Sequence, residues 1–563
     1  MKYDWYNEVS ETFMGRGYFH NNQTVQDRVE SIATLVGNTF PNEEGIKEKV
    51  KEYIEEGYYV LPSPVWSNAG TNRGAGISCF GSYIGDSIEE IIEANAEVGM
   101  LCKIGGGTAG YFGHIRPEGS KISTGGISYG SLHFAQMFDT TKKVISQNNV
   151  RRGEFAGYWP IDHGDIKNVL NINGEGSPLQ RFPFGVCVDR SWLKDMKEGD
   201  VEKRTIWASV LDSRNRTGFP YILFTDNCNE NTVDVYKDEV MKIFMSQMCT
   251  EILLPSTKDE TFVCNLLGMN LVKFDEWRQT DAVRIGVYIM DAVLTEFIER
   301  YENVKHIHRA IKFAKRHRAL AMGASGYHSY LQSKMIPFES MEAKMVNNLI
   351  FKTIQTQAWA ASEEMGEKYG KPEVLADPKY KRRHTTLTAV APNTSSSTIT
   401  GIKIFTKMEE AIVGQQSPSI EPYVSNYYIK KTDKLELALK NPYLKRLLME
   451  KSQDTFEVWE SILKNEGSVR HLDFLTEEEK SVFKIFIEIS QKEIVIQAAA
   501  RQKHIDQGQS LNLMIHPSTP TKDVNKLILE AEELGIKTLY YQLGQNAAQA
   551  FARDILSCES CAG

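Results

Sequence analysis

Ser246-Gln247-Met248-Cys249-Thr250-Glu251 sets an amide, a thiol and a carboxylate at alternate positions. In an extended segment side chains alternate, so Gln247, Cys249 and Glu251 share one face; in a helix Cys249 points away from both. The chemistry that such a trio suits is an amide that orients a substrate, a sulfur that reacts with it and a carboxylate that moves its proton. A lone Cys-x-Glu is more often a buried cysteine in an apolar run. The motif therefore gains its weight from what surrounds it.

Eight cysteines stand at 79, 102, 187, 228, 249, 264, 558 and 561. In a reducing compartment they are thiols, and any pair that matters is redox-active or metal-binding. Cys558-Glu-Ser-Cys561 alone has close pair spacing. That spacing favours thiolate formation and exchange, and it leaves a four-ligand zinc site incomplete without ligands from elsewhere. Pro392-Asn393-Thr394-Ser395-Ser396 follows the strand-like Thr385–Val390, and hydroxyls with backbone N–H groups after a strand suit a phosphate. Ser146–Gly153 is a polar loop that carries Arg151 and Arg152, and Tyr540-Tyr541 ends a β-rich run from Ile536.

These residues need elements to hold them. Residues 1 to about 60 have an amphipathic helical pattern, broken by Leu61-Pro62-Ser63-Pro64. Gly85-Asp86-Ser87 opens a helix that runs to Leu101, with Asp86 or Ser87 as its cap. Gly105-Gly106-Gly107 stops it, and 105–131 is expected to be loop. Residues 182–189 and 261–271 have the pattern of short buried strands, 280–370 is mostly helical, and 470–505 is helical again. Lys379–His384 is expected to be a solvated basic loop. Strand–helix alternation fits an α/β protein with a largely parallel sheet or barrel.

With 563 residues, 41% hydrophobic and 25% charged, the chain has material for a large core. Its net charge of −8 and lack of a basic stripe exclude polymeric nucleic acid as the expected ligand, but not a mononucleotide in a pocket. The N-terminus lacks an apolar signal core, and no segment offers eighteen continuous apolar residues. A soluble, cytoplasmic protein with no membrane partner is expected (host cytoplasm for a viral source).

Taken together, the chain resembles the large, catalytic subunit of ribonucleotide reductase, class I type, from about residue 10 to its end. The carriers are Cys79 before Gly85-Asp86-Ser87, Cys249-Thr-Glu251, Cys264 in a buried strand, Pro392 to Ser396, Ser419-Ile-Glu-Pro422, Thr538-Leu-Tyr540-Tyr541 and Cys558/Cys561, in that order. The resemblance implies a ten-stranded α/β barrel over residues 61–541, made of two parallel five-stranded halves. A finger loop would carry Cys249 through its centre, with helices over 1–60 and a redox tail over 542–563. It implies reduction of ribonucleotides, diphosphates being expected, to 2′-deoxyribonucleotides. Cys249 would act as a transient thiyl radical on the ribose, with Glu251 as general base and Gln247 as the orienting amide. Cys79 and Cys264 would face each other across the barrel and give up two electrons and protons. Tyr540 and Tyr541 would pass the radical, and Cys558 and Cys561 would relay electrons. Ser63, Ser78, Arg151 (or Arg152), Pro392, Asn393, Thr394, Ser395 and Ser396 would bind substrate. Asp86 and Arg116 would bind a nucleotide effector (a deoxynucleoside triphosphate or ATP) at a homodimer interface. The radical would come from the metal cofactor of a separate small subunit, with no cofactor or metal bound in this chain. The external reductant would be thioredoxin- or glutaredoxin-like.

Three departures stand out. The finger amide is usually Asn and here is Gln247; the stretch between Thr398 and Ser417 is longer than expected; and the family's N-terminal ATP-cone has no counterpart in these residues. Two other activities compete. An adenosylcobalamin-dependent reductase shares the three active-site cysteines and the tail pair, but would have no use for Tyr540-Tyr541. A nucleotide-binding thiol-exchange protein would account for Cys558/Cys561 and leave Cys249, Glu251 and the tyrosines unexplained. A glycyl-radical enzyme is disfavoured by the lack of a recognisable glycyl-radical motif.

Overall fold

The computed structural model describes residues 2–20, 23–147, 151–407, 409–432 and 435–544, without the side chains of Thr394 and of 430–437. Cys558 and Cys561 thus lie outside the described residues.

Five short strands form one half of a barrel: β1 (Cys79–Tyr83), β2 (Gly107–Tyr111), β3 (Glu154–Pro160), β4 (Phe184–Val188) and β5 (Tyr221–Phe224). They pair in sequence order, all parallel. Strands buried on both faces become continuous apolar runs, and Phe184–Val188 is buried at every position. Helices fill the crossovers, as parallel pairing requires. The helix Ile88–Lys103 starts where Ser87 accepts from Glu90 N–H and Glu90 reaches back to Ser87 N–H. Of the two expected caps, Ser87 is the one used.

The second half begins with β6 (Phe262–Asn270) and β7 (Leu320–Ser325), parallel to each other over six residue pairs. Beyond β7 the ladder breaks into single bridges. Met322 pairs with Thr388 and Val390 with Gln509, both parallel. The Tyr540 N–H then meets the Leu511 carbonyl at 2.9 Å, and 513–514 runs parallel to 542–543. β8 (Thr538–Leu539) closes antiparallel on β5, and β6 pairs antiparallel with β1. The outcome is a ten-stranded barrel of two parallel halves joined at two antiparallel seams. At the β1–β6 seam the backbones approach so closely that a Cβ on Gly81 would lie 2.1 Å from the Phe262 ring.

Some expectations need correction. Residues 107–111 are a barrel strand and not loop: Gly110 leaves room for Ile84 and Phe155, and Gly107 for the Ser78 carbonyl. Only 477–482 and 491–502 are α-helical within 470–505. The basic run 379–384 is not a solvated loop in its second half. Arg382 and His384 are buried, and Arg383 and His384 both meet Asp291, whose carboxylate supplies the compensating charge. The stretch between Thr398 and Ser417 forms a hairpin, Gly401–Phe405 with Ala411–Gln415. Its Ile402 joins a separate apolar cluster with Leu444, Trp459, Ile462 and Phe483. Among the described residues no helix is long and apolar enough to cross a membrane.

Candidate active site

After the short helix Asp234–Asp238 the chain leaves regular structure and enters the barrel as a finger, residues 241–256. Both barrel halves grip it. From the first half, the Tyr158 hydroxyl on β3 donates to the Gln247 carbonyl at 2.6 Å, and Cys187 Sγ on β4 donates to the Phe244 carbonyl at 3.1 Å. From the second, Gly508 N–H donates to the Glu251 carbonyl at 2.8 Å, and Leu253 N–H donates to Gln507 Oε1 at 3.0 Å. The tip is a turn rather than the extended run expected. Thr250 N–H returns to the Gln247 carbonyl at 3.3 Å, and Thr250 takes a φ of 71°. The finger must reverse direction inside the lumen, which an unbroken extended segment cannot do.

The turn still brings Gln247 and Glu251 together. The side-chain oxygen of Gln247, Oε1, is occupied, taking Ile252 N–H at 3.0 Å and the Ser246 hydroxyl at 2.9 Å. Its amide nitrogen is buried and meets no partner with hydrogen-bond geometry. It lies near enough to Glu251 and Cys79 to favour their charged forms. The extra methylene of Gln over Asn thus serves the backbone of the finger and leaves one N–H₂ group aimed at the reacting residues. Glu251 is 1% exposed, and burial pushes its carboxyl up to about 7, against the opposing pull of Gln247 and of Ser510, whose hydroxyl donates at 2.8 Å. A carboxyl poised there exchanges protons near neutrality. Cys249 is half-buried beside it, and its carbonyl oxygen lies 2.5 Å from the same Ser510 Oγ, so the two acceptors share that single hydroxyl hydrogen.

Cys79 and Cys264 do not face each other across the barrel. They are direct partners on the antiparallel seam between β1 and β6. Directly opposed residues of such a pair have Cα atoms roughly 4.5–5.5 Å apart, within the about 4.4–6.8 Å that a disulfide spans. Burial, with the Glu251 charge adding, pushes the Cys79 thiol up to about 12, and burial holds Cys264 well above the ordinary range. Both are therefore neutral thiols that still carry their protons.

The remaining expected residues fall in three places. Around the thiols, Ser78 Oγ is 3.5 Å from Cys79 Sγ, and Ser63 accepts from the Tyr18 hydroxyl at 3.0 Å. Arg151 is half-buried with its charge felt at Cys79 and Tyr18, whereas Arg152 is exposed. Of the two arginines, Arg151 is the one whose charge reaches Cys79. Pro392, Ser395 and Ser396 are buried where the short helix Thr394–Ile399 begins, and Asn393 donates to the Ala324 carbonyl at 3.3 Å. Away from the thiols, Asp86 and Arg116 are bound to each other: Arg116 N–H and Nε–H reach the two carboxylate oxygens at 2.8 and 2.7 Å. Tyr540 is buried and Tyr541 half-buried, their ring centroids 4.2 Å apart.

The family model described as "Ribonucleotide reductase, barrel domain" matches residues 77–201, 189–383 and 376–542. The chain belongs to the ribonucleotide reductase large-subunit family. It is 49% identical to the Actinobacillus ureae class Id ribonucleotide reductase alpha subunit, with a TM-score of 0.89 over 99% of both chains. It is 35% identical over 519 residues to a Frog virus 3 (isolate Goorha) protein provisionally designated a ribonucleoside-diphosphate reductase large subunit, covering 88% of this chain and 87% of that one. The ribonucleoside-diphosphate reductase large subunit of Invertebrate iridescent virus 3 is 31% identical over 590 residues, covering 91% and 90%. The likeness places the chain among class I large subunits, and nothing in it favours the cobalamin-dependent alternative.

Within this ribonucleotide reductase barrel, several contributors escape a reading of the sequence by element pattern. Ser510 and Gln507 come from 506–512, a stretch of polar residues with no element pattern. Tyr221 lies at the start of β5, its ring centroid 4.8 Å from that of Tyr540 and 5.2 Å from that of Tyr541. The clue to Ser510 and Gln507 was the density of amides and hydroxyls in Asp506-Gln507-Gly508-Gln509-Ser510, too polar for a buried segment unless each group has a partner.

Proposed function

We propose that this class I large subunit reduces ribonucleoside diphosphates at the finger, with Cys249 as the residue that takes and returns a hydrogen atom at the ribose. The observation that carries the proposal is how three groups are tied together: Ser510 lies between the half-buried Cys249 and the Glu251 carboxyl near neutrality, and the Glu251 charge reaches both members of the registered Cys79–Cys264 thiol pair. Glu251 takes the ribose 3′-hydroxyl proton, for which a pKa near the working pH is the efficient value. Cys79 and Cys264, held protonated by burial, supply protons and two electrons as the 2′-hydroxyl leaves as water, and end as a disulfide. The Gln247 amide nitrogen orients the ribose. Water-poor surroundings protect the radical from side reactions. The names of the viral relatives favour diphosphates over triphosphates.

Ser63, Ser78 and Arg151 contact the nucleotide near Cys79, and residues 392–396 take its phosphates. Tyr540 and Tyr541 deliver the radical from a metal-containing small subunit, which the close approach of their rings suits. A second copy of the chain packs beside Asp86 and Arg116, where a nucleotide effector binds. The exposed Ile88 and Ile92, one turn apart at the start of the helix that follows Asp86, support an apolar contact there. The tail cysteines relay electrons from a thioredoxin- or glutaredoxin-like donor.

The test is turnover of a ribonucleoside diphosphate by the purified chain, alone, with its small subunit, and with adenosylcobalamin instead. Deoxynucleotide only with the small subunit supports the proposal. Product with adenosylcobalamin alone overturns it.

A further inference from the structure

Gln507 has no part in the function just described, yet its side chain ends on one of the two reducing sulfurs. It is 1% exposed. Its orientation follows from what its carbonyl does. Oε1 accepts the finger N–H of Leu253 at 3.0 Å, so the amide nitrogen faces the other way. There Nε2 is 3.1 Å from the Leu320 carbonyl, 3.0 Å from Thr386 Oγ1 and 3.5 Å from Cys264 Sγ. The Thr386 hydroxyl hydrogen is used on the Leu320 carbonyl at 3.1 Å, so Thr386 accepts from Gln507. Two amide hydrogens thus serve three acceptors. While Cys264 is a thiol, its sulfur is the weakest of the three. Once that sulfur carries negative charge it becomes the strongest, and the shared hydrogen turns to it.

We propose that Gln507 is a catalytic residue of the step that restores the dithiol: its amide N–H holds Cys264 as the leaving thiolate when attack on Cys79 opens their disulfide. The proposal rests on the assignment of Cys79 and Cys264 as the reducing pair. Access sets the direction of attack. Cys264 is 0% exposed and covered by Gln507, whereas Cys79 is 4% exposed beside the half-buried Ser78. An incoming dithiol donor attacks as its thiolate. A bond forms between the donor sulfur and Cys79 Sγ, the Cys79–Cys264 bond breaks, and its electron pair leaves on Cys264. The donor's second sulfur then attacks the mixed disulfide. The donor leaves as its own disulfide, Cys79 is released as a thiolate, and the two protons lost by the donor end on Cys79 and Cys264. Exchange is faster when the leaving thiolate is better stabilised. Among groups that oppose the effect of burial on Cys264, Gln507 is the largest.

The experiment uses the full chain with its small subunit. Pre-reduced enzyme is turned over once on a ribonucleoside diphosphate without reductant, and the Cys79–Cys264 disulfide is located by peptide mass spectrometry. 2-Mercaptoethanol is then added, and both the rate of opening and the position of the adduct are read. In the parent enzyme the adduct is expected on Cys79 with Cys264 free. In Gln507→Met opening is expected about tenfold slower, the size of one hydrogen bond to a charged group, with the adduct spread over both cysteines. A purely structural Gln507 would not move the position of the adduct. An adduct on Cys264 in the parent overturns the proposal without any variant being needed. So does opening of the Met variant within twofold of the parent with the adduct still on Cys79. If no Cys79–Cys264 disulfide forms on turnover, the assignment of the reducing pair fails first, and the role of Gln507 falls with it.

Discussion

The two halves of the barrel are built differently. In the first, β1 to β5 form continuous ladders of four or five residue pairs per neighbour. In the second, only β6 and β7 do so, and the rest is single bridges and one two-pair ladder, 513–514 with 542–543. Side chains replace the missing ladder bonds. Asp506 accepts from Leu387 N–H and Thr388 N–H at 2.7 and 3.2 Å, and Gln509 accepts from Arg501 Nε–H at 2.6 Å while donating to the Ala498 carbonyl at 3.0 Å. The same broken stretch delivers Ser510 to Glu251 and Gln507 to Cys264. A regular ladder makes a stiff frame whose polar groups are consumed by pairing. A broken one leaves amides and hydroxyls free to turn into the lumen, provided each finds a partner.

The difference is sharpened by variants taken from the largest expected effect to the smallest. Tyr540→Phe and Tyr541→Phe, at the end of the broken half, should each reduce turnover with the small subunit to background while nucleotide binding stays. The unfolding midpoint should shift little, since nearly all buried area is kept. Activity above background in either variant would remove the tyrosines from the radical route.

Glu251→Gln should lower kcat by roughly 10²–10⁴-fold, the usual worth of a positioned base. The pH dependence gives a second readout. Burial raises the folded-state pKa of Glu251 to about 7, so the carboxylate form that acts as base is filled only as pH rises through that value. The parent kcat should therefore climb between about pH 6 and 8, and the Gln variant should lack that limb. A Gln variant with the same limb would assign the titration to another group.

Arg309→Met tests the frame. Glu97 is 1% exposed and takes bonds from Ser82 on β1 at 3.1 Å, from Thr261 beside β6 at 2.7 Å and from Arg309 Nε at 3.1 Å. It therefore ties the β1–β6 seam that carries Cys79 and Cys264. Leaving its charge buried without Arg309 should cost about 3–5 kcal/mol in urea unfolding. A loss under about 1 kcal/mol would mean that the seam does not depend on this pair.

Gln247→Asn is the mildest. The shorter side chain cannot both accept from Ile252 N–H and aim its nitrogen at Glu251 and Cys79. A fall in kcat of roughly tenfold with KM little changed is expected, as positioning errors near 1 Å act on the chemical step. An unchanged kcat would show that the Ile252 bond is not needed.

The frame was largely legible in the sequence because β4, β6 and the helix after Ser87 obey simple rules: continuous apolar runs for doubly buried strands and a Ser/Glu capping box. The site was legible in part. Cys249, Glu251, Gln247, Cys79 and Cys264 stand out by type, but the seam register that pairs Cys79 with Cys264 depends on long-range strand pairing that neither segment encodes alone. The turn at Thr250 was missed because alternation suggests a straight run, while the finger has to fold back inside a closed barrel. The short strand 107–111 was hidden by its glycines, which read as loop residues yet are needed for close packing. Ser510 and Gln507 were missed because their segment has no periodicity, only partners.

The central claim is that Cys249 acts on the nucleotide while the Cys79–Cys264 pair supplies the electrons. It is tested most directly by one turnover of pre-reduced chain with its small subunit in the absence of any reductant, with Cys558 and Cys561 both replaced by Ser. The account predicts about one deoxynucleotide per active site, one Cys79–Cys264 disulfide formed in step with it, and no product from Cys249→Ser. Product formed while Cys79 and Cys264 remain thiols, or product from the Cys249→Ser chain, would contradict it.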